Sequence, residues 1–127
     1  MSTPPKKNDL PENRADLVLK AATAGERFQS AFDWINDKEE LRITNNPANR
    51  GLTGKEVREL AREWIINGNP IKCVPEKRDD YKDRRHHHYD IVIPLDDFPK
   101  GLYVEMEIFD SNESDPAVNL LSAHPAS

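Results

Sequence analysis

Two stretches decide the fold of this chain: residues 86–95 read HHHYDIVIPL and residues 101–108 read GLYVEMEI. Polar and apolar residues alternate in both, and a side-chain period of two predicts β-strands over 86–95 and 102–109. The apolar side of each strand must then pack against other elements. The opposite side is predicted to form an exposed polar face that carries His86, His88, Asp90, Tyr103, Glu105 and Glu107.

Two further strands, over 71–76 and 117–124, are predicted from the same period. The last one is apolar on both faces, which fits a central strand or a strand covered by another element. Upstream, spacings of three and four residues between apolar positions predict helices over 12–36 and 53–68. Helices followed by strands indicate an α+β domain, with N-terminal helices packed on one face of a four-stranded antiparallel sheet.

The domain boundaries follow from composition. Residues 1–11 hold three of the ten prolines and no periodic pattern, so we predict a disordered lead-in. Residues 12–124 form the single domain, in which the sheet takes up 71–124, and residues 125–127 are a tail.

The second helix has the clearest start signal. Thr53 and Glu56 are spaced as a capping box, in which each satisfies a backbone N–H of the other. Trp64 falls on the apolar side of this helix and is predicted to be buried against the sheet. The helix is predicted to stop at the Asn-Gly turn that starts at Asn67.

Charge and cysteine content narrow the functional classes. The chain has 127 residues and a net charge of −5, but residues 72–89 carry six basic and four acidic groups, while residues 90–127 carry one basic and eight acidic. A local basic segment can bind phosphate, although the overall sign opposes long-range attraction of nucleic acid. A single cysteine, Cys73, rules out an internal disulfide and favours a cytoplasmic location. No apolar run is long enough to predict a membrane span.

The polar face and the basic loop before it carry the candidate chemistry. Glu105 and His88 lie on adjacent predicted strands, and such a pair can act as general base and general acid in RNA cleavage. Arg84 and Arg85 can grip phosphate bidentately, and Lys82 can act as a point charge. Two alternatives remain open. Cross-strand charge pairing would simply keep a sheet soluble, and two histidines with one carboxylate, from the set His86, His88, Glu105 and Glu107, could ligate a metal.

Residues 53–124 resemble the RelE-like and MqsR-like superfamily of small toxins. The resemblance lies in an amphipathic helix ending at Ile66-Asn-Gly-Asn69, a basic first hairpin and a strand-rich C-terminal part, with Ile71, Val74, Tyr81 and Arg84/Arg85 at the matching positions. It implies a metal-independent ribonuclease without a cofactor, belonging to a toxin–antitoxin pair. The residues implied are Tyr103, Glu105 and His88 as the catalytic groups, and Lys72, Arg78, Arg84 and Arg85 as the RNA-binding groups.

Two functions are therefore expected, from different classes. The first is RNA binding with metal-independent cleavage, in which Glu105 is the base and His88 the acid. The second is a non-catalytic interaction module, whose acidic C-terminal half meets a basic partner protein. The position of the basic loop discriminates between them, because cleavage requires the loop to converge with His88 and Glu105 on one face.

Overall fold

The sheet has five strands, in the order β1-β5-β4-β3-β2. The computed structural model describes residues 7–127. Its helices are α1 (Ala15–Ala24), α2 (Asp37–Asn45) and α3 (Gly54–Ile66), with short 3-10 turns at Gln29–Ala31 and Pro47–Asn49. Its strands are β1 (Phe32–Trp34), β2 (Lys72–Pro75), β3 (His87–Leu95), β4 (Phe98–Asp110) and β5 (Ala117–Pro125).

The α+β class is confirmed, and the four predicted strands are β2 to β5, which pair antiparallel. The prediction of a purely antiparallel sheet is wrong at one edge. There β1 pairs parallel to β5 over three residues, from Phe32 opposite Val118 to Trp34 opposite Leu120. Of the two alternatives for the last strand, the structure shows a central position, because β5 lies between β1 and β4.

The predicted helix over 12–36 ends much earlier, at Ala24. Gly25 lets β1 approach the helix end, since a Cβ at that position would lie 2.8 Å from the Cβ of Phe32. Two buried arginines of α3 satisfy the backbone there: Arg58 donates to the Gly25 carbonyl (2.8 Å) and Arg62 to the Ala22 carbonyl (3.1 Å). Cations suit a helix C-terminus, where carbonyl groups lack partners.

The core lies between the sheet and the helices α1 and α3. The buried tryptophan of the core is Trp34, which is 6% exposed. Its Nε1 donates a hydrogen bond to the Gly54 carbonyl at 2.7 Å. The prediction that Trp64 is buried against the sheet is wrong. Trp64 is only partly buried, at the margin of the core, and its Nε1 bonds to the Pro70 carbonyl. The core side of α3 is formed by smaller residues, Val57, Ala61 and Ile65.

The capping box of α3 is confirmed. Thr53 accepts a hydrogen bond from the Glu56 N–H through Oγ1 (3.1 Å), and the Thr53 N–H donates to Glu56 Oε1 at 3.1 Å. The capping box thus satisfies two backbone donors at the start of the helix, and this fixes where α3 begins.

We expect Thr53→Ala to lower the free energy of unfolding by about 1 kcal/mol, the usual cost of a lost N-cap. Urea unfolding followed by tryptophan fluorescence measures the change. Thr23→Ala is the matched control, because that hydroxyl bonds to a carbonyl four residues back inside α1 and caps nothing. Equal stability of the Thr53 variant and the wild type would contradict the capping role.

Residues 1–6 of the predicted lead-in lie outside the described residues. Within the remainder, Asp9 is buried, and its carboxylate accepts hydrogen bonds from the backbone N–H groups of His86 (2.7 Å) and His87 (3.0 Å). The lead-in thus contacts the chain where it enters β3. Among the described residues, no helix has the length and apolar character needed to cross a membrane.

Candidate active site

Strand register aligns polar side chains in rows on the sheet face that points away from the core. One row crosses four strands and consists of Lys72, Asp90, Glu105 and Ser122, each paired with the next. Directly opposed residues in a sheet lie on the same face, so these four share it. A neighbouring row pairs Tyr103 with His124. The alternation read from the sequence therefore brings these side chains together.

His88, Asp90, Tyr103 and Glu105 form one contiguous cluster on this face. His88 Nδ1 lies 2.7 Å from Asp90 Oδ1 and 3.7 Å from Glu105 Oε1. The Tyr103 hydroxyl donates to the same Glu105 oxygen at 3.1 Å. With Nδ1 held by Asp90, Nε2 is the ring nitrogen left to exchange a proton with a ligand.

The surroundings shift the titration of two members of the cluster. The hydrogen bond that His88 donates to Asp90 raises the pKa of His88, and the charges of Asp90, Glu105 and Glu76 add to this, against the opposing effect of burial. Burial, followed by the charges of Glu105 and Asp90, raises the pKa of the Tyr103 hydroxyl. His88 therefore keeps its proton to higher pH than a free imidazole, while Tyr103 stays a hydrogen-bond donor.

The basic loop, residues 76–86, folds over the polar face and does not project away from it. Arg78 spans two carboxylates: Nη2 lies 2.8 Å from Glu76 Oε1 and 3.0 Å from Glu105 Oε2. Its side chain is 45% exposed, so part of the guanidinium still faces solvent. Glu105 is thus held by Tyr103 on one oxygen and by Arg78 on the other.

A second set of ion pairs lies deeper in the same loop. Arg84 makes a bidentate contact with Glu107, at 3.0 Å and 2.7 Å, and Asn119 donates to Glu107 at 3.0 Å. Arg85 donates to Glu107 and, at 2.8 Å, to Glu76. The side chains of Arg85 and Glu107 are 3% and 0% exposed.

The buried carboxylates remain ionised because arginines face them. Burial alone would raise the pKa of Glu76, but the hydrogen bonds from Arg78 and Arg85 lower it to about 2. The same balance, with Arg84 and Asn119 as the hydrogen-bond donors, lowers the pKa of Glu107. These carboxylates anchor the loop to the sheet as charged groups, and they balance the arginines that were predicted to bind phosphate.

The predicted RNA-binding residues fall into three positions. Arg78 and Arg84 are close to half exposed and can reach a ligand while keeping their carboxylate partners. Arg85 is buried between two carboxylates, so a direct contact with RNA does not fit this geometry. Lys72 is exposed on the edge strand β2, opposite Asp90 and beyond the cluster.

The histidines other than His88 take no part in the cluster. His86 precedes β3 and is tied by its backbone to Asp9. The side chain of His87 leaves the polar face and lies 3.7 Å from the Asp9 carboxylate. His124 is exposed and stacks on the Tyr103 ring, with 4.9 Å between the ring centroids.

A metal could be held by His88, Asp90 and Glu105, whose ligand atoms all lie within 4.8 Å of one another. This set differs from the one expected from sequence, because Asp90 takes the place of His86. Arg78 already brings positive charge to Glu105, at 3.0 Å, so the geometry does not require a cation there.

Two contributing residues, Asp90 and Glu76, received no role from the sequence, although Asp90 was placed on the polar face. Asp90 lies two positions after His88 on the same strand face, so the strand period could have indicated their contact. Glu76 was noted only as an acid within a basic loop, and nothing local shows that it lies under Arg78 and Arg85. Comparison of the chain with protein-family models, curated proteins and solved structures found no match in any of the three.

Proposed function

We propose that this domain binds RNA and cleaves its phosphodiester bonds by metal-independent acid–base catalysis, as the resemblance to RelE-like toxins implies. The observation that carries the proposal is the cluster itself. An imidazole with a raised pKa lies 3.7 Å from a carboxylate that also binds a half-exposed arginine. A base, an acid and a cation are the three groups that cleavage of RNA needs.

In the proposed reaction Glu105 accepts the proton of the 2′-hydroxyl, and the 2′-oxygen attacks the adjacent phosphorus. The bond from phosphorus to the 5′-oxygen breaks, and the His88 imidazolium donates its proton to that oxygen. The products are a 2′,3′-cyclic phosphate and a free 5′-hydroxyl. Arg78 stabilises the negative charge that develops on the phosphoryl oxygens, and Tyr103 orients Glu105.

The position of the basic loop supports a catalytic role over the alternative, in which the charge pairs only keep the sheet soluble. Arg78, Arg84 and His88 converge with Glu105 on one face, as cleavage requires and as a projecting loop would not provide. Exposed charge pairs need no burial, yet Glu105 is 7% exposed and Glu107 is fully buried. Burying a charged group costs free energy, and buried charged groups are common at functional sites.

The direct test incubates purified protein with a mixed single-stranded RNA in EDTA and resolves the products on a denaturing gel. We expect fragments that end in 2′,3′-cyclic phosphate. A parallel incubation with Mn²⁺ or Zn²⁺ in place of EDTA tests the metal alternative at His88, Asp90 and Glu105. Intact RNA from pH 5 to 8 in EDTA would overturn the proposal, and cleavage only with added metal would replace it by a metal-dependent one.

A second candidate is the non-catalytic interaction module with a basic partner protein. It is favoured by the single basic and eight acidic groups of residues 90–127. It is also favoured by a groove between Phe28 (64% exposed) and Phe109 (45% exposed), whose lining includes Asp110 and Asp115. An Asp110→Lys, Asp115→Lys variant that loses a captured basic protein and keeps its fold would support this role.

A further inference from the structure

Beside the acid–base cluster lies a cleft of about 290 Å³ between α2, the basic loop and β5. The cleft has three walls. The α2 wall is formed by Asn36, Glu39 and Arg42, and the β5 wall by Leu121 and Ser122. The basic loop forms the third wall with Arg78, Tyr81, Arg84 and Arg85. Glu105 also reaches the cleft, so the cleft and the proposed reaction site share an edge.

The exposed charge of the cleft is mainly positive, although the protein is acidic. Four arginines and two glutamates line the cleft, and the buried Glu76 and Glu107 pair with three of these arginines, so the local formal balance is zero, against −5 for the whole chain. Because Glu76 and Glu107 are buried, the charged groups that face the cleft are mostly guanidinium groups. Three of the arginines are accessible: the side chains of Arg42, Arg78 and Arg84 are 64%, 45% and 44% exposed. Only Arg42 lacks a close buried partner, since its contact is with Glu39 at 3.6 Å. A local excess of exposed guanidinium groups selects an anionic ligand, and phosphate suits their fork geometry.

The cleft also contains a stack of planar groups, formed by the Tyr81 ring and the guanidinium groups of Arg78 and Arg85 that lie over it. Tyr81 is 41% exposed, and the guanidinium carbons of Arg78 and Arg85 lie 5.0 Å and 4.8 Å from its ring centroid. Aromatic rings and guanidinium planes are the groups on which unpaired nucleobases stack. A simple anion would use the charge of the cleft and leave this stack unused.

We propose that this cleft receives one unpaired nucleotide of a single-stranded RNA, with its base against the stack of Tyr81 and Arg78 and its phosphate between Arg42 and Arg84. The inference rests on the proposed function, because the shared edge at Glu105 and Arg78 places this nucleotide next to the scissile bond. Paired RNA keeps its bases in the helix stack and cannot offer one to so small a cleft. The domain is therefore specific for single-stranded RNA.

The test measures binding apart from cleavage. A fluorescein-labelled 2′-O-methyl oligonucleotide has no 2′-hydroxyl to attack phosphorus, so its fluorescence anisotropy reports affinity alone. We expect Tyr81→Ala to weaken binding about 5- to 100-fold, the range for one lost base stack, and Tyr81→Phe to keep most of the affinity. Arg42→Gln should weaken binding. It should also make the negative slope of log affinity against log salt concentration shallower by about 0.7, the value for one phosphate contact.

Four further measurements sharpen the comparison. Lys55→Gln is the matched control, because Lys55 is an exposed cation on α3 and lines a different depression, against Leu95. The corresponding duplex should bind more weakly than the single strand. Inorganic phosphate should compete only weakly, since it cannot use Tyr81. Thermal melts of each variant show that the fold is kept.

The outcomes separate the two proposals. Tight single-strand binding that is unchanged in both Tyr81→Ala and Arg42→Gln would overturn the cleft assignment and leave cleavage standing. Binding that depends on Tyr81 and Arg42, in a protein that leaves natural RNA intact, would keep the cleft and overturn cleavage. Equal affinity for duplex and single strand would overturn the specificity for unpaired RNA.

Discussion

Replacing Arg85 by methionine is expected to lower the free energy of unfolding by about 3–5 kcal/mol, the cost of removing one partner from a buried ion pair. Arg85 is 3% exposed and donates to both Glu76 and Glu107, whose side chains are 1% and 0% exposed. Without it, two buried carboxylates lose a cation. Since small domains unfold at a cost of about 5–15 kcal/mol, the loss removes a large part of the total stability.

Urea denaturation followed by tryptophan fluorescence measures this effect. Lys82→Ala is the control from the same loop, because its ion pair with Asp79 joins side chains that are 53% and 91% exposed, and it should change stability little. Adding Glu107→Gln to the Arg85 variant removes one of the two carboxylates that have lost a cation and should restore part of the stability. A loss under 1 kcal/mol for Arg85→Met would show that the loop is not anchored by this network.

Sequence periodicity predicted the elements whose signals are local. The alternation of residues 86–95 and 101–108 became β3 and β4, and the Thr53–Glu56 pair became the cap of α3. It failed between residues 25 and 45, where α2 buries only Ile43 and so has almost no apolar stripe to detect. The start of α2 did leave a signal, since the Asn36 side chain caps the Glu39 N–H.

The error in the first helix has a similar origin. Ala31, Phe32 and Ile35 continue the spacing of α1 in sequence, but Phe32 belongs to a three-residue strand that exists because β5 pairs with it. A strand this short carries no readable period. Its stability comes from contacts across the chain, as does the burial of Arg58, whose Nε bonds to the Phe32 carbonyl at 2.7 Å.

For the site, the strand period placed His88, Tyr103 and Glu105 on one face, and the structure brings them into contact. It could not show that the arginines of the basic loop bind carboxylates of the same chain. That outcome depends on how residues 76–86 fold back over β4, and the pairing of Arg84 with Glu107 spans 23 positions. Counting basic residues in a loop therefore overestimates the charge that remains for a ligand.

In the proposed reaction His88→Ala and Glu105→Gln should each lower the rate of RNA cleavage by about 10²- to 10⁴-fold, the usual contribution of one general acid or base. The rate is measured by single-turnover cleavage of a labelled oligoribonucleotide in EDTA. His86→Ala is the matched control, since His86 lies two residues from His88 and is tied by its backbone N–H to Asp9. A His88 variant as active as the His86 variant would contradict the assignment of the acid.

The pH dependence carries a sharper signature than loss of activity, because a misfolded variant cannot reproduce it. His88 must hold its proton to act as the acid, so the rate falls as pH rises through the pKa of His88. The bond to Asp90 is the largest cause that raises this pKa, and the charges of Glu105 and Glu76 add to it. Asp90→Asn removes the charge of Asp90 and weakens its hydrogen bond, and it leaves the charges of Glu105 and Glu76 in place. The alkaline limb of the profile should therefore move to lower pH in this variant, while activity survives below it. A limb that stays in place in Asp90→Asn would show that some other group supplies the proton, and the exposed His124, stacked on Tyr103, is then the residue to replace.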